Sequence, residues 1–150
     1  MQIDDAAAIL AGADFFEICT EEERRLLAFA SERKRFADGS VLVTGDDIPA
    51  GAHVLISGHV SVARDGEAKP YMLSQPGSMI STMALLTERP RGVTVRAVGA
   101  VETLFVPRNS FLKLLNESPE LAARAAERIR ADLVGFVSAL SPIKGRIRKD

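Results

Sequence analysis

Apolar and polar residues alternate along the middle of the chain, and this pattern constrains the fold more than any other feature. Val54, Ile56, Val60 and Val62 share one parity, and most residues between them are polar. Side chains of equal parity point to the same face of a strand. Six glycines mark the turns between such strands: Gly39, Gly45, Gly51, Gly58, Gly66 and Gly77. Residues 39–107 are therefore predicted to form short antiparallel strands in a jelly-roll-like β-roll, a double-stranded β-helix that protects its sheet edges.

A helix is predicted before the β-roll. Thr20 and Glu23 have the spacing of a capping box, in which a hydroxyl and a carboxylate satisfy free amides where a helix begins. We predict that this helix runs to about Ser31. Its buried face is expected to hold Leu26, Leu27 and Ala30, with Phe15 and Phe16 packing just upstream.

Two further helices are predicted after Pro107. Phe111, Leu114 and Leu115 share one face of a short helix. Ser118 then supplies an N-cap, and a proline and an acid follow it at the positions that favour a helix start. The second helix is predicted from Pro119 to about Leu140. Its apolar stripe comprises Leu121, Ala125, Ile129, Leu133, Phe136 or Val137, and Leu140.

This apolar stripe must pack against another surface, and two surfaces remain possible. It packs against the chain's own β-roll, or it pairs with the same stripe of a second copy. Ala125 and Ala126 are small enough to allow two helices to approach closely. We predict a homodimer through residues 119–140.

The expected architecture is one α+β domain, since 150 residues suffice for a single core. We predict four segments: 1–38 as an N-terminal helical segment, 39–107 as the β-roll, 108–140 as the C-terminal helices, and 141–150 as a basic tail.

Charge and cysteine content bound the setting. Lys and Arg number 19 against 20 for Asp and Glu, so no general attraction to nucleic acid or to a membrane is expected. Cys19 is the only cysteine, which suits a reducing compartment, and we interpret it as a small buried residue. The acidic start argues against a secretory signal, and the longest uncharged apolar stretch is too short to span a bilayer. A cytoplasmic protein with no membrane partner is expected.

The segment 77–97 carries the most informative motif. Its key positions are Gly77, Ala84, Leu85, Leu86, Pro90, Arg91, Thr94 and Val95. In order and spacing they resemble the phosphate-binding cassette of the cyclic nucleotide-binding domain family, the family of catabolite activator-like sensor domains. The resemblance extends from about Phe15 to Leu140. It implies a β-roll that binds a ligand and a C-terminal helix that responds to it.

The cassette also has a physical logic of its own. A short helix that begins near Ser81 would direct backbone amides toward an anion, and Arg91 could donate two hydrogen bonds to the same anion. The resemblance implies that Arg91 binds the cyclic phosphate and that a cassette glutamate binds the ribose 2′-hydroxyl. Here Ser81 and Thr82 replace the family's Gly-Glu pair, and Gly92 follows the arginine. The candidate ligand-binding residues are Ser81, Thr82, Met83, Ala84, Arg91, Gly92 and Val93.

Structural interpretations of the same residues stay open. Arg91 could form a surface ion pair with Glu88, and Ser81 and Thr82 could simply cap a helix. Because Thr82 stands in place of the family's cassette glutamate, a ligand would lose a hydrogen bond to a charged group. That loss costs about 1.5–3 kcal/mol of binding free energy, or one to two decades of affinity.

Catalysis and direct DNA binding are not predicted. His53 and His59 have the parity opposite to the presumed inward residues and are expected to face outward, so no metal site is predicted. No nucleophile elbow, phosphate-binding loop or paired-carboxylate motif occurs, so no catalytic residue is assigned. The ten residues after Leu140 are too few for a helix-turn-helix, and their bases are interpreted as a solvated tail.

The sequence thus favours a stand-alone regulatory or sensor domain. Its ligand would be cyclic AMP, cyclic GMP or another phosphate-bearing small molecule, with no cofactor. The ligand would act by repositioning the C-terminal helix against the roll. The alternative is a degenerate domain that binds no nucleotide and serves as a dimerisation or protein-docking module for an unknown partner.

Overall fold

The computed structural model describes residues 3–90 and 92–131. Two helices and a 3-10 helix precede the sheet: α1 (Ile3–Ala11), the 3-10 helix Asp14–Ile18, and α2 (Glu21–Ala30). The strands are β1 (Glu32–Phe36), β2 (Val41–Val43), β3 (Gly51–Arg64), β4 (Tyr71–Leu73), β5 (Met79–Ile80) and β6 (Val93–Pro107). A 3-10 helix, Thr82–Leu85, lies between β5 and β6 and is called the cassette helix below. Two helices follow the sheet: α3 (Arg108–Glu117) and α4, described over residues 119–131.

The six strands form one antiparallel sheet, which confirms the predicted β-roll class. Its path is β1-β6-β3-β4, with β2 also pairing with β6 and β5 with β3. The prediction of uniformly short strands is wrong, because β3 has 14 residues and β6 has 15. Gly58 does not end a strand: it lies within β3 with φ +99°, and a Cβ there would lie 2.4 Å from the carbonyl oxygen of Ala100. The glycine marks a bulge rather than a turn.

A separate bulge, at Ile56 just before Gly58, changes which face of β3 is buried. Leu55 pairs with Thr103 and Ser57 pairs with Glu102, so β3 has one extra residue between them. Val54 therefore packs with the helices, whereas Val60 packs inside the roll, although the two residues share a parity. A one-residue shift exchanges the faces of a strand.

His53 is misplaced by the parity argument for the same reason. Its side chain is only 5% exposed and lies against the rings of Phe36 and Phe105. Its Nδ1 lies 2.8 Å from Thr103 Oγ1. All residues from Gly51 to Leu55 are buried, because helices cover one face of this stretch and the roll covers the other. His59 is exposed, as predicted, and is hydrogen-bonded to Ser74.

The sheet begins at Glu32, before its predicted start at Gly39. The segment Glu32–Phe36 is mostly charged, which concealed it as a strand. It pairs with β6 from Glu32↔Phe105 to Phe36↔Val101, and Arg33 Nε donates to Glu102 Oε2 across the pair at 2.6 Å. Cross-strand ion pairs of this kind stabilise a polar sheet face.

The predicted start and end of α2 are confirmed, but of its predicted buried face only Leu27 is buried. Thr20 N donates to Glu23 Oε1 at 2.8 Å, and Glu23 N donates to Thr20 Oγ1 at 3.1 Å, which completes the capping box. Leu27 and Ala28 are buried, whereas Leu26 is 51% exposed and Ala30 is also exposed. The helix turns Leu27 and Ala28 into the cluster that it shares with α1 and α3.

The C-terminal helices begin as predicted. Phe111 and Leu114 are buried, and Ser118 Oγ accepts a hydrogen bond from Leu121 N at 3.2 Å. Leu121 and Ala125 lie in the chain's own core, so the packing interpretation holds for this part of the stripe. The remaining stripe positions 133, 136, 137 and 140, together with the tail 141–150, lie outside the described residues.

Candidate functional site

A cavity of about 300 Å³ lies at the open end of the roll, between the ends of β3, β4 and β6 and the cassette helix. Seven apolar side chains line it together with two hydroxyls, one phenol and one guanidinium. The lining residues are Val62, Arg64, Tyr71, Leu73, Met79, Ile80, Ser81, Thr82, Met83, Val93 and Val95.

The chain enters the cassette helix through an unusual conformation at Ser81. This residue has φ 61° and ψ 47°, the left-handed region, and no other non-glycine residue in the described ranges has a positive φ. Left-handed backbone is costly for a residue with a Cβ, which explains why the related motif has glycine here. The Ser81 hydroxyl oxygen is buried and has no hydrogen-bond partner within residues 3–90 and 92–131.

The structure brings together four of the seven predicted ligand-binding residues. Ser81, Thr82, Met83 and Val93 line the cavity. Ala84 is fully buried beneath it, and its amide donates to Ser81 O at 2.9 Å, so that amide is already used within the helix.

The last two predicted residues, Arg91 and Gly92, directly precede β6 in the sequence. Gly92 is part-buried beside the cavity, where its carbonyl accepts from Asp65 N at 2.8 Å. Arg91 lies outside the described residues. The hydrogen bond between Asp65 and Gly92 ties the residue before β6 to the hairpin that follows β3.

The electrostatics of the cavity favour an anion. Arg64, the last residue of β3, is the charged residue in the described lining, and no Asp or Glu belongs to that lining. Thr82 supplies a neutral hydroxyl where the related motif has a carboxylate. The arrangement can hold an anionic group beside a flat, apolar body.

A second cavity, of about 700 Å³, lies next to the first and connects the roll to α4. Both are lined by Arg64, Met79, Thr82 and Met83. Phe15 and Ile129 contribute apolar walls to the second. Ile129, part of the predicted stripe of α4, therefore faces the second cavity.

α4 is attached to the N-terminal segment by charged groups. Arg124 Nε donates to Ile18 O at 2.6 Å, and its Nη2 lies 2.8 Å from Glu23 Oε1. Arg128 pairs with Asp14. Burial raises the pKa of Glu23, but hydrogen bonds from Thr20 and Ser118 together with Arg124 outweigh it, and the pKa lies below its usual value.

Cys19 lies beside this junction and is buried, as predicted. Burial, reinforced by the nearby charge of Glu23, raises the pKa of its thiol to about 12. The residue therefore stays a neutral thiol and serves as packing.

Sequence reasoning missed Arg108, the first residue of α3. It is only 8% exposed, and its Nη1 donates to Pro49 O at 2.7 Å, Ala84 O at 3.1 Å and Thr87 O at 3.3 Å. Glu88, the predicted alternative partner of Arg91, lies 3.6 Å from Arg108 Nη2. The one available signal was a base at the start of a helix, where the helix dipole disfavours it.

Comparison with known proteins agrees with this geometry. The family model described as "Cyclic nucleotide-binding domain" matches residues 33–118, more than half of the chain. The chain belongs to the cyclic nucleotide-binding domain family. The match covers the whole roll, the cassette and α3 of this domain.

Individual relatives are regulators in which this domain is one part. A cAMP-dependent protein kinase regulatory subunit of Blastocladiella emersonii is 27% identical over 105 residues, which cover 68% of this chain and 26% of that protein. A cyclic AMP receptor protein of Thermus thermophilus is 29% identical over 142 residues, 87% of this chain and 66% of that protein. The chain thus spans about a quarter of the kinase subunit and about two thirds of the receptor.

A solved structure shows the same fold. The catabolite activator protein of Thermus thermophilus superposes with a TM-score of 0.71 at 24% identity, over 87% of this chain and 62% of that one. Helices lie at both ends of the β-roll in the family fold, as they do here.

Two kinds of feature are absent from the described residues. No helix among them has the length and apolar character to cross a bilayer. Residues 3–90 and 92–131 also hold no group of three or more His, Cys, Asp or Glu arranged to bind a metal ion.

Proposed function

We propose that this domain is a regulatory sensor that binds a cyclic nucleotide in the roll cavity. The observation that supports it is the cavity itself: about 300 Å³, bounded by the cassette helix, with apolar and hydroxyl-bearing side chains, one cation and no carboxylate in the described lining. A cyclic nucleotide presents one negative charge and a flat base, which matches this chemistry. The domain is regulatory rather than catalytic.

Cyclic AMP is the first ligand to test. The names of the kinase subunit and of the receptor protein both refer to it. Thr82 can offer the ribose only a neutral hydrogen bond, so we expect affinity one to two decades weaker than that of a site with a carboxylate, for a loss of about 1.5–3 kcal/mol.

The output would pass through α4. Ile129 and Met83 line the same cavity, so a ligand beside the cassette helix can favour one position of α4 over another. Self-association through residues 119–140 would use stripe positions other than Leu121 and Ala125, which the chain's own core already covers. We propose that the domain acts as a cytoplasmic homodimer.

Calorimetric titration with cyclic AMP, cyclic GMP and inorganic phosphate tests the proposal. We expect saturable binding of a cyclic nucleotide, weakened at least tenfold by Arg91→Gln. Arg89→Gln is the matched control, because it removes a neighbouring arginine of the same loop and should leave affinity unchanged. No saturable binding by the folded protein at millimolar ligand would refute the sensor proposal.

One observation favours the docking-module alternative. Leu26 is 51% and Phe29 is 71% exposed on α2, although both are large and apolar. Adjacent exposed apolar side chains often mark a protein interface. If titration shows no ligand, a pull-down comparing wild type with Phe29→Ser becomes the deciding experiment for this function.

A further inference from the structure

We infer that Arg108 is a positioning residue for the ligand site, an inference that rests on the proposed function. Arg108 is absent from the residues that line either cavity at the cassette. Its guanidinium instead holds backbone carbonyls of two separate segments. The segment just before β3 contributes the carbonyl of Pro49. The segment at the end of the cassette helix contributes the carbonyls of Ala84 and Thr87.

The ion pair with Glu88 does not explain why this cation is buried. Glu88 is 73% exposed and 3.6 Å away, so the ion pair is weak. Arg108 Nε is buried without a hydrogen-bond partner in the described part of the chain. A buried charge that is incompletely paired is expensive. An apolar side chain of similar length would fill the same space but would leave the three carbonyls without this donor. What the guanidinium adds is directional hydrogen bonding to three carbonyls.

Those carbonyls determine where the cassette helix lies. Ser81, Thr82 and Met83 line the cavity, and Ala84 follows them directly in the same helix. Arg108 N also donates to Ala50 O at 2.8 Å, which fixes α3 against the same loop. One side chain therefore links the start of α3, the loop before β3 and the cassette helix.

Loss of the guanidinium should lower the affinity for cyclic AMP, because fewer molecules would hold the cassette helix in its binding conformation. If the cassette helix then holds its binding conformation only about a tenth of the time, the apparent Kd rises about tenfold. A side chain that served only as packing would not produce this effect in a variant that keeps its stability.

The experiment compares Arg108→Met, Arg108→Lys and Glu88→Gln with wild type, by thermal unfolding and by titration with cyclic AMP. Met keeps the length and fills the space, whereas Lys retains a cation that can donate to several carbonyls. We expect about tenfold weaker binding for Arg108→Met. We expect Arg108→Lys to recover most of the affinity, and Glu88→Gln to bind as wild type does.

Each outcome decides something. If Arg108→Met is folded and binds cyclic AMP as tightly as wild type, the inference is wrong and the proposed function stands. If Arg108→Met does not fold, Arg108→Lys becomes the deciding variant. A loss of affinity in Arg108→Lys that is matched by its loss of stability would indicate a structural role only. If the folded wild type does not bind, the proposed function fails, and this inference fails with it.

Discussion

Acidification should destabilise this domain through one buried histidine. His53 lies among Phe36, Phe105 and Thr103, and is 5% exposed. Burial, with a smaller contribution from the charge of Lys34, lowers the pKa of His53 from its ordinary 6.5 to about 4. The folded protein therefore keeps this imidazole neutral at a pH where the unfolded chain protonates it.

The sign and size of the effect follow from proton linkage. Below pH 6.5 the unfolded state binds a proton that the folded state does not, so the free energy of unfolding falls as the pH drops. The loss continues to about pH 4, where the folded state also takes up the proton. Since each pH unit corresponds to about 1.4 kcal/mol, the full loss is about 3 kcal/mol, most of it already present at pH 4.5.

Urea unfolding at pH 7 and pH 4.5 measures this difference directly. The variant His53→Gln removes the titrating ring and keeps an amide that can bond to Thr103. Its own stability will be lower at pH 7, but its loss between the two pH values should be smaller than that of wild type by about 2 kcal/mol. His59→Gln, at the exposed histidine, is the matched control and should behave as wild type. Equal losses in wild type and His53→Gln would refute the reasoning.

Three further predictions concern the cassette and α4. Ser81→Gly should raise the free energy of unfolding by about 1–2 kcal/mol, because it relieves a left-handed serine and removes an unpartnered hydroxyl; an unchanged or lower midpoint in a thermal melt would contradict this. Thr82→Glu combined with Ser81→Gly should tighten cyclic AMP binding about tenfold over Ser81→Gly alone, because it restores a charged acceptor, and equal Kd values in titration would show that the ribose lies elsewhere. Leu133→Glu should convert a dimer of the 16.2 kDa chain into a monomer in light scattering at micromolar concentration, and a monomeric wild type would end the dimer proposal.

Local signals in the sequence predicted the helices well. The capping box at Thr20 and the N-cap at Ser118 depend on residues within three positions of each other, and both formed where predicted. The order of helices and roll, and the short helix after Ser81, also follow from nearby residues and from the resemblance.

Features that depend on distant residues were not predictable in this way. A bulge in the pairing of β3 with β6 changes which face of β3 is buried. The parity argument therefore placed His53 on the wrong face. Arg108 is buried because two segments 20 or more positions away cover it, and the one local signal, a base at the start of a helix, does not identify them. The strand β1 was hidden because its charges are paired across the sheet with Glu102.

The bulge in β3 also restricts where the chain can tolerate insertions and deletions. A residue added at the turn that follows Arg64 would lengthen an exposed hairpin, which chains usually tolerate. Deletion of the residue between Leu55 and Ser57 would instead move the later side chains of β3 to the opposite face of the sheet. Val60 and Val62 would then face solvent, so the roll would lose its interior, whereas the helical cluster would lose only Ile56. Insertions and deletions between homologues should therefore gather at the hairpin tips and be absent from the bulge, a pattern that an alignment of homologues can check.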